Sequence, residues 1–184
     1  MDDLLETIRG FKPIINGNSK ILILGTIPGN KTLENFKLTG NEDYYINFSH
    51  NHFYSTIAEI FGLDMSLLFE KSNRGYQYRK KALLDNYISL FDIYSSCKRA
   101  IGVSSDNKIK NPVPSDIKSL LIKYSNIKYV YTNGLGTYKK FMKINKDIQS
   151  DFPHIIFKGL TSTSNANNGH FDINEWENAL NLIK

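Results

Sequence analysis

Four apolar residues in a row, Ile21-Leu22-Ile23-Leu24, run straight into Gly25-Thr26-Ile27-Pro28-Gly29. An unbroken apolar strand has no face to offer water, so it belongs inside a parallel sheet covered on both sides. A second strand, His154-Ile155-Ile156-Phe157, leads towards Leu160-Thr161-Ser162-Thr163-Ser164-Asn165-Ala166-Asn167. Small-residue loops at the carboxyl ends of parallel strands are where an open α/β sheet builds a ligand site. Between them in sequence stand Asn51-His52-Phe53-Tyr54, an amide beside aromatics. The three segments suit a flat, polar, phosphate-linked ligand, and a nucleobase has that chemistry.

Apolar spacing extends the pattern along the chain. Residues 2–9 read as a short helix with Leu4, Leu5 and Ile8 on one face, and residues 20–25 as the first strand. An irregular loop over 26–50 follows, and a loop of that length in a compact domain usually serves function. A helix over 51–61 starts at Asn51 and closes at Gly62, and another spans 77–86. Strands are expected at 88–93, 127–131 and 154–157. Helices are expected at 116–124 with Ser115 as N-cap, at 134–143 and at 172–182. Strands alternating with helices predict a three-layer α/β/α sandwich around a mostly parallel four-stranded sheet.

At 184 residues the chain fits a single domain, 1–184, with a full core. The start, Met1-Asp2-Asp3, is acidic and carries no basic-apolar-small targeting signal. No apolar run approaches the ~20 residues that span a bilayer, so no membrane role is expected. The single Cys97 leaves no partner for an intramolecular disulfide, which makes a reducing cytoplasm the default location. A net charge of +5 permits nucleic acid without demanding it. Among the basic clusters, Arg79-Lys80-Lys81 and Lys139-Lys140 read most simply as solvated helix faces. Lys98-Arg99, just past a strand end, is the more suggestive one.

Each motif has a bland counterpart. The Gly25–Gly29 loop lacks the Lys-Ser/Thr pair of a phosphate-binding P-loop and the glycine spacing of a dinucleotide fingerprint, so a plain turn competes with a binding loop. Asn51 is either an N-cap or an orienting hydrogen-bond partner, and Phe48 and Phe53 are either core or a stacking platform. His50 and His52 have no carboxylate or cysteine at metal-ligand spacing, so no metal is expected. Ser162, Thr163 and Ser164 sit in no nucleophile elbow and instead suit phosphate contacts.

In order, these segments resemble the uracil-DNA glycosylase superfamily, most nearly its hypoxanthine (deoxyinosine) branch. Where that branch carries Gly-Ser-Met-Pro-Gly, this chain has Gly25-Thr26-Ile27-Pro28-Gly29. Its Tyr-Tyr-Ala-His-Pro-Arg-Asn-x-Phe-Trp is similar to Tyr44–Tyr54, one residue longer here. Its Leu-Trp-Asp-Val and Ser-Cys resemble Leu90-Phe91-Asp92-Ile93 and Ser96-Cys97, and its Phe-Asn-Gly resembles Thr132-Asn133-Gly134. The terminal Leu-Pro-Ser-Thr-Ser-Pro-Ala-Asn resembles Leu160–Asn167, with Thr161 and Asn165 in place of the prolines. Ile27 stands where other branches place a water-positioning Asp or Asn, as the hypoxanthine branch also has an apolar residue there.

The resemblance implies a DNA glycosylase acting on DNA that contains a damaged base; with no lysine placed by the motifs to form a Schiff base, a monofunctional enzyme without a cofactor is expected, as a monomer. Asn51 becomes the catalytic amide, Gly25, Thr26, Ile27, Pro28 and Gly29 the anion-stabilising loop, and Phe48 or Phe53 the stacking ring. Asp92 and Asn133 would read the base edge, with Ser162, Thr163, Ser164 and Asn167 on the backbone. Hypoxanthine is the first candidate base, with uracil and xanthine behind it. A non-catalytic nucleic-acid or nucleotide-binding module of the same fold is the alternative, and a small-molecule hydrolase a weaker third.

Overall fold

The computed structural model of the chain describes residues 5–165 and 170–183. Its centre is a parallel sheet of β2 (Ile21–Gly25), β3 (Ile88–Asp92), β6 (Tyr129–Asn133) and β7 (Ile156–Leu160), in the order β3-β2-β6-β7. Every neighbouring pair in it runs parallel. Side chains alternate across the sheet. Ile21 and Ile23 enter one core with Phe53, Ile57, Leu83 and Trp176, and Leu22 and Leu24 enter a second with Ile117, Leu121, Phe141 and Ile148. The first core is covered by α2 (Phe53–Phe61), α4 (Asn73–Asp85) and α8 (Ile173–Leu180), and the second by α5 (Ile117–Lys123), α6 (Leu135–Ile144) and α7 (Ile148–Asp151). The four-stranded three-layer architecture is therefore as the sequence predicts.

Several local expectations need correction. Part of the segment expected as an N-terminal helix is a strand, β1 (Leu5–Arg9), paired antiparallel with β4 (Tyr94–Ala100). Ile8 packs inward while Leu5, Thr7 and Arg9 face out, so partner strand and burial override a helix-like spacing. A third strand, β5 (Lys110–Pro114), completes an antiparallel β1-β4-β5 sheet that no apolar alternation announces. The expected loop over 26–50 contains α1 (Asn30–Thr39), whose sequence is largely polar and whose one buried residue is Thr32. The N-cap of α5 is Asp116 rather than Ser115, its carboxylate accepting from the Ser119 N–H at 3.0 Å. Strands β6 and β7 each lie about two residues further along than the apolar runs suggest, which brings Asn133 and Leu160 to their ends.

Arg79 is no part of a solvated basic face. It is buried and paired with Asp43, and donates to the carbonyls of Leu68 at 2.6 Å and Glu70 at 2.8 Å. It thereby ties the segment after α1 to α4 and to α3 (Met65–Leu68).

Candidate active site

At the carboxyl ends of β2 and β6 opens a cleft of ≈ 880 Å³. One wall is the loop after β2, another the start of α6, a third the β7 loop, and the fourth the β4–β5 connection with Ser104, Ser105 and Asp106. Asn51 enters from the segment before α2.

Thr163 holds the walls together. Its side chain is entirely buried, and every polar group it owns is bonded. Its Oγ1 donates to Asn51 Oδ1 at 2.8 Å and accepts from Asn133 Nδ2 at 2.7 Å. Its N–H donates to Asn133 Oδ1 at 2.9 Å, and its carbonyl accepts from the His52 N–H at 2.7 Å. One residue thus locks the end of β6 and the entrance to α2 to the β7 loop. The far side of that loop is pinned by α8, where Glu175 accepts from the Thr161 N–H at 2.7 Å and Trp176 Nε1 donates to the Thr161 carbonyl at 2.9 Å.

Asn51 Oδ1 also accepts from the Phe53 N–H at 2.9 Å, so the amide caps α2 and faces the cleft at once. With two donors on Oδ1, the end left for a ligand is the Nδ2 amino group, which has no partner among the described residues. Asn51 is a donor to the cleft.

The loop after β2 is shaped from below. A Cβ at Gly25 would sit 2.5 Å from Asp92 Oδ1 and 2.9 Å from Tyr45 Oη, so only glycine fits. Asp92 is 3% exposed, and burial, with the Asp106 charge second, pushes its carboxyl up to about 8. Burial and then the Asp92 charge hold the Tyr45 phenol far above its ordinary value, while the Asn133 side chain works the other way. Tyr45 adopts a φ of 58°, a left-handed conformation uncommon for a bulky residue and of the kind that clusters at functional sites. On the outer side, buried Arg99 donates to the Pro28 carbonyl at 3.0 Å and to Asn30 Oδ1 at 3.1 Å.

Two helix N-termini face the cleft, with Asp106 in another wall. Helices α1 and α6 both begin at it, behind Gly29 and Gly134, neither first turn is acidic, and Ser104 Oγ accepts from the first N–H of α1, that of Asn30, at 3.0 Å. Their first turns, through Lys31, Thr32, Gly136 and Thr137, line the space. The N–H groups beyond Asn30 and the dipoles of the two helices favour an anion.

Of the residues expected from sequence, Gly25, Thr26, Ile27, Gly29, Asn51, Asn133, Ser162 and Ser164 line the cleft. Thr163 is buried behind it, Asp92 lies beneath it, and Pro28 is buried with its carbonyl turned to Arg99. Asn133 lines the cleft and gives one bond from each end of its amide to Thr163. Phe48 and Phe53 do not line the cleft. Phe48 packs edge-on against Tyr54 and Phe69, and Phe53 lies in the core between Tyr45 and Trp176. Among the described residues the rings that line the cleft are Tyr45 and the imidazoles of His50 and His170. Asn167 lies outside the described residues. Sequence reasoning missed Tyr45 because nothing local marks a positive φ. It also missed Lys31 and Lys140, which line the cleft paired with Glu34 at 2.9 Å and Asp106 at 3.9 Å.

No protein-family profile matches the chain. It is 30% identical over 137 residues to a hypoxanthine DNA glycosylase of Methanosarcina barkeri, covering 73% of this chain and 77% of that one. A hypoxanthine DNA glycosylase of Methanosarcina acetivorans is 24% identical over the same shares. In three dimensions it is similar to a candidate uracil DNA glycosylase of Methanosarcina acetivorans solved by solution NMR. The TM-score is 0.72 at 24% identity, over 97% of this chain and 99% of the other. The chain belongs to the hypoxanthine DNA glycosylase family.

Proposed function

We propose that the protein is a monofunctional DNA glycosylase that removes hypoxanthine from DNA by hydrolysing the N-glycosidic bond and leaving an abasic site. The observation that carries this reading is Asn51: an amide fixed by Thr163 and by the start of α2, presenting its amino group to an anion-favouring cleft.

A duplex base reaches such a cleft only after extrusion, at a cost of a few kcal/mol that a mispaired base lowers. Tyr45 then stacks on the base, backed by Phe53 at a centroid distance of 4.4 Å. The bond between C1′ and the base nitrogen breaks with its electron pair moving onto the base. The Asn51 amino group donates to the base carbonyl, and the N–H groups of the Gly25–Gly29 loop face the charge that develops, where fixed donors act most strongly. Water adds to the cationic C1′ and its proton leaves to solvent or to the departing base. Ile27 offers no group to activate that water, so cleavage runs ahead of water attack. Asp92, protonated near neutrality, puts no competing negative charge under the loop. Lys31 and Lys140 are each held by a carboxylate, whereas a lyase needs a free amine to form a Schiff base.

Single-turnover cleavage of duplexes carrying deoxyinosine, deoxyuridine or deoxyxanthosine, followed by alkali, tests the reading. Deoxyinosine is expected to be cut fastest, with Asn51→Ala slower by about 10²-fold or more, as for loss of one transition-state donor. Borohydride should trap no protein–DNA adduct. Salt-sensitive binding of DNA without cleavage of any base would favour a binding module of the same fold.

A further inference from the structure

The antiparallel sheet plays no part in lining the cleft beyond the connection between β4 and β5, and its outer face is open. Register pairs Thr7 with Lys98 and Arg9 with Ser96 across β1 and β4, and Lys98 with Lys110 across β4 and β5. Arg9, Lys98 and Lys110 are all exposed on that face, and none makes an ion pair among the described residues. The one carboxylate of these strands, Glu6, pairs in register with buried Arg99 on the opposite face. Two lysines directly opposed across strands repel, and such pairs are destabilising in an isolated sheet. The strain is relieved when an anion bridges them.

We propose that the outer face of the β1-β4-β5 sheet is a second contact surface for the phosphodiester backbone of DNA. Through Arg9, Lys98 and Lys110 it tracks the duplex beyond the flipped nucleotide. The proposal rests on the reading that the cleft takes a base from DNA. What makes the surface continuous with the cleft is the chain itself. Strand β4 carries Lys98 into the connection whose Ser104, Ser105 and Asp106 form a cleft wall, and the connection returns into β5 at Lys110. A backbone leaving the cleft over that wall meets the lysine pair next. The partner is a polyanion of regular charge spacing; the contact carries no base readout, because a sheet face of cations, hydroxyls and the exposed Leu5 and Val113 has no groove-reading element.

The test is salt-dependent binding of undamaged duplex by wild type and by the triple variant Arg9→Gln, Lys98→Gln, Lys110→Gln. Each neutralised phosphate contributes about 0.9 to the slope of log affinity against log salt, so on a duplex of about 30 base pairs the variant's slope should be shallower by about 2–3. On a duplex of about 8 base pairs, long enough for the cleft alone, the two proteins should bind alike. Single-turnover cleavage at saturating enzyme should be unchanged. Lys98→Gln alone should leave Tm level or raised, since it removes a like-charge pair. An unchanged slope on the long duplex, an equal loss on both lengths, or a fall in Tm with Lys98→Gln would each overturn the proposal. Equally salt-sensitive binding to anionic lipid vesicles would overturn it too. Because undamaged DNA is the ligand, a protein that cleaves no base defeats the glycosylase reading without touching this result.

Discussion

At position 51 the carbonyl end of the amide is occupied twice, by Thr163 Oγ1 and by the Phe53 N–H, and that decides which role it takes in the proposed reaction. An amide so held cannot accept a proton from water, and its amino group is the end left to donate. The dependence runs through Thr163, whose hydroxyl sits between two amides. Thr163→Val keeps the shape and both backbone hydrogen bonds while removing the hydroxyl. It leaves the Asn133 amino group unpaired in a part-buried setting and takes one of two donors from Asn51 Oδ1, a loss of about 1–3 kcal/mol in stability. The single-turnover rate should fall with little change in affinity for DNA, because Asn51 is misaimed rather than lost. Denaturant unfolding and rate-against-concentration curves check the two halves separately. Tyr45 answers to a different measurement. Removing its ring in Tyr45→Ala should weaken binding of a deoxyinosine duplex by the ~1–3 kcal/mol of one stacking contact. Affinity for undamaged duplex should stay level, and a loss on both would place the ring in backbone binding instead.

Among the elements, what could be read from sequence follows from how each element gains its burial. Strand β2 and helices α2 and α8 carry enough apolar residues to announce themselves, and their positions follow from spacing. Strand β1 does not, because Leu4, Leu5 and Ile8 suit a helix until the pairing of Ile8 with Cys97 is known. Strand β5 is exposed along its whole length, so no buried stripe exists to find. The site divides in the same way. Glycines and amides at strand ends are legible; the exchange of Phe53 for Tyr45 at the cleft depends on which ring the turn lifts, and that is a property of packing. The buried Arg79–Asp43 pair is the clearest tertiary surprise, since Arg79 sits in a run of basic residues. It anchors the segment that delivers Tyr44 and Tyr45, with Tyr54 close under the guanidinium at 5.7 Å. Asp43→Ala strands a buried cation, and such single-partner deletions destabilise by about 3–5 kcal/mol. Thermal unfolding should show the loss, and residual activity at low temperature should fall with it because Tyr45 loses its support.

For the whole molecule, folding puts a carboxyl where it cannot easily ionise. Asp92 ends β3 against Gly25, 3% exposed and with Oδ2 unpartnered, and burial followed by the Asp106 charge raises it to about 8. In the unfolded chain an aspartate titrates near 4. Between those values the native state holds a proton that the unfolded chain has released, so stability declines as pH rises through that window. The penalty is absent below about 4 and complete above about 8, and each pH unit within it weighs ~1.4 kcal/mol. Asp92→Asn keeps the size and cannot ionise. Its stability should match wild type near pH 4 and exceed it by on the order of 3–5 kcal/mol near pH 8. In the proposed reaction the same charge bears on turnover, because an ionised Asp92 would lie directly beneath the loop that faces the departing base. Wild-type cleavage should therefore fall above about pH 8 while the Asp92→Asn variant holds its rate. Parallel unfolding curves for the two proteins across pH 4–8 would mean that Asp92 is already ionised when folded, and the neutral floor of the cleft would have to be abandoned.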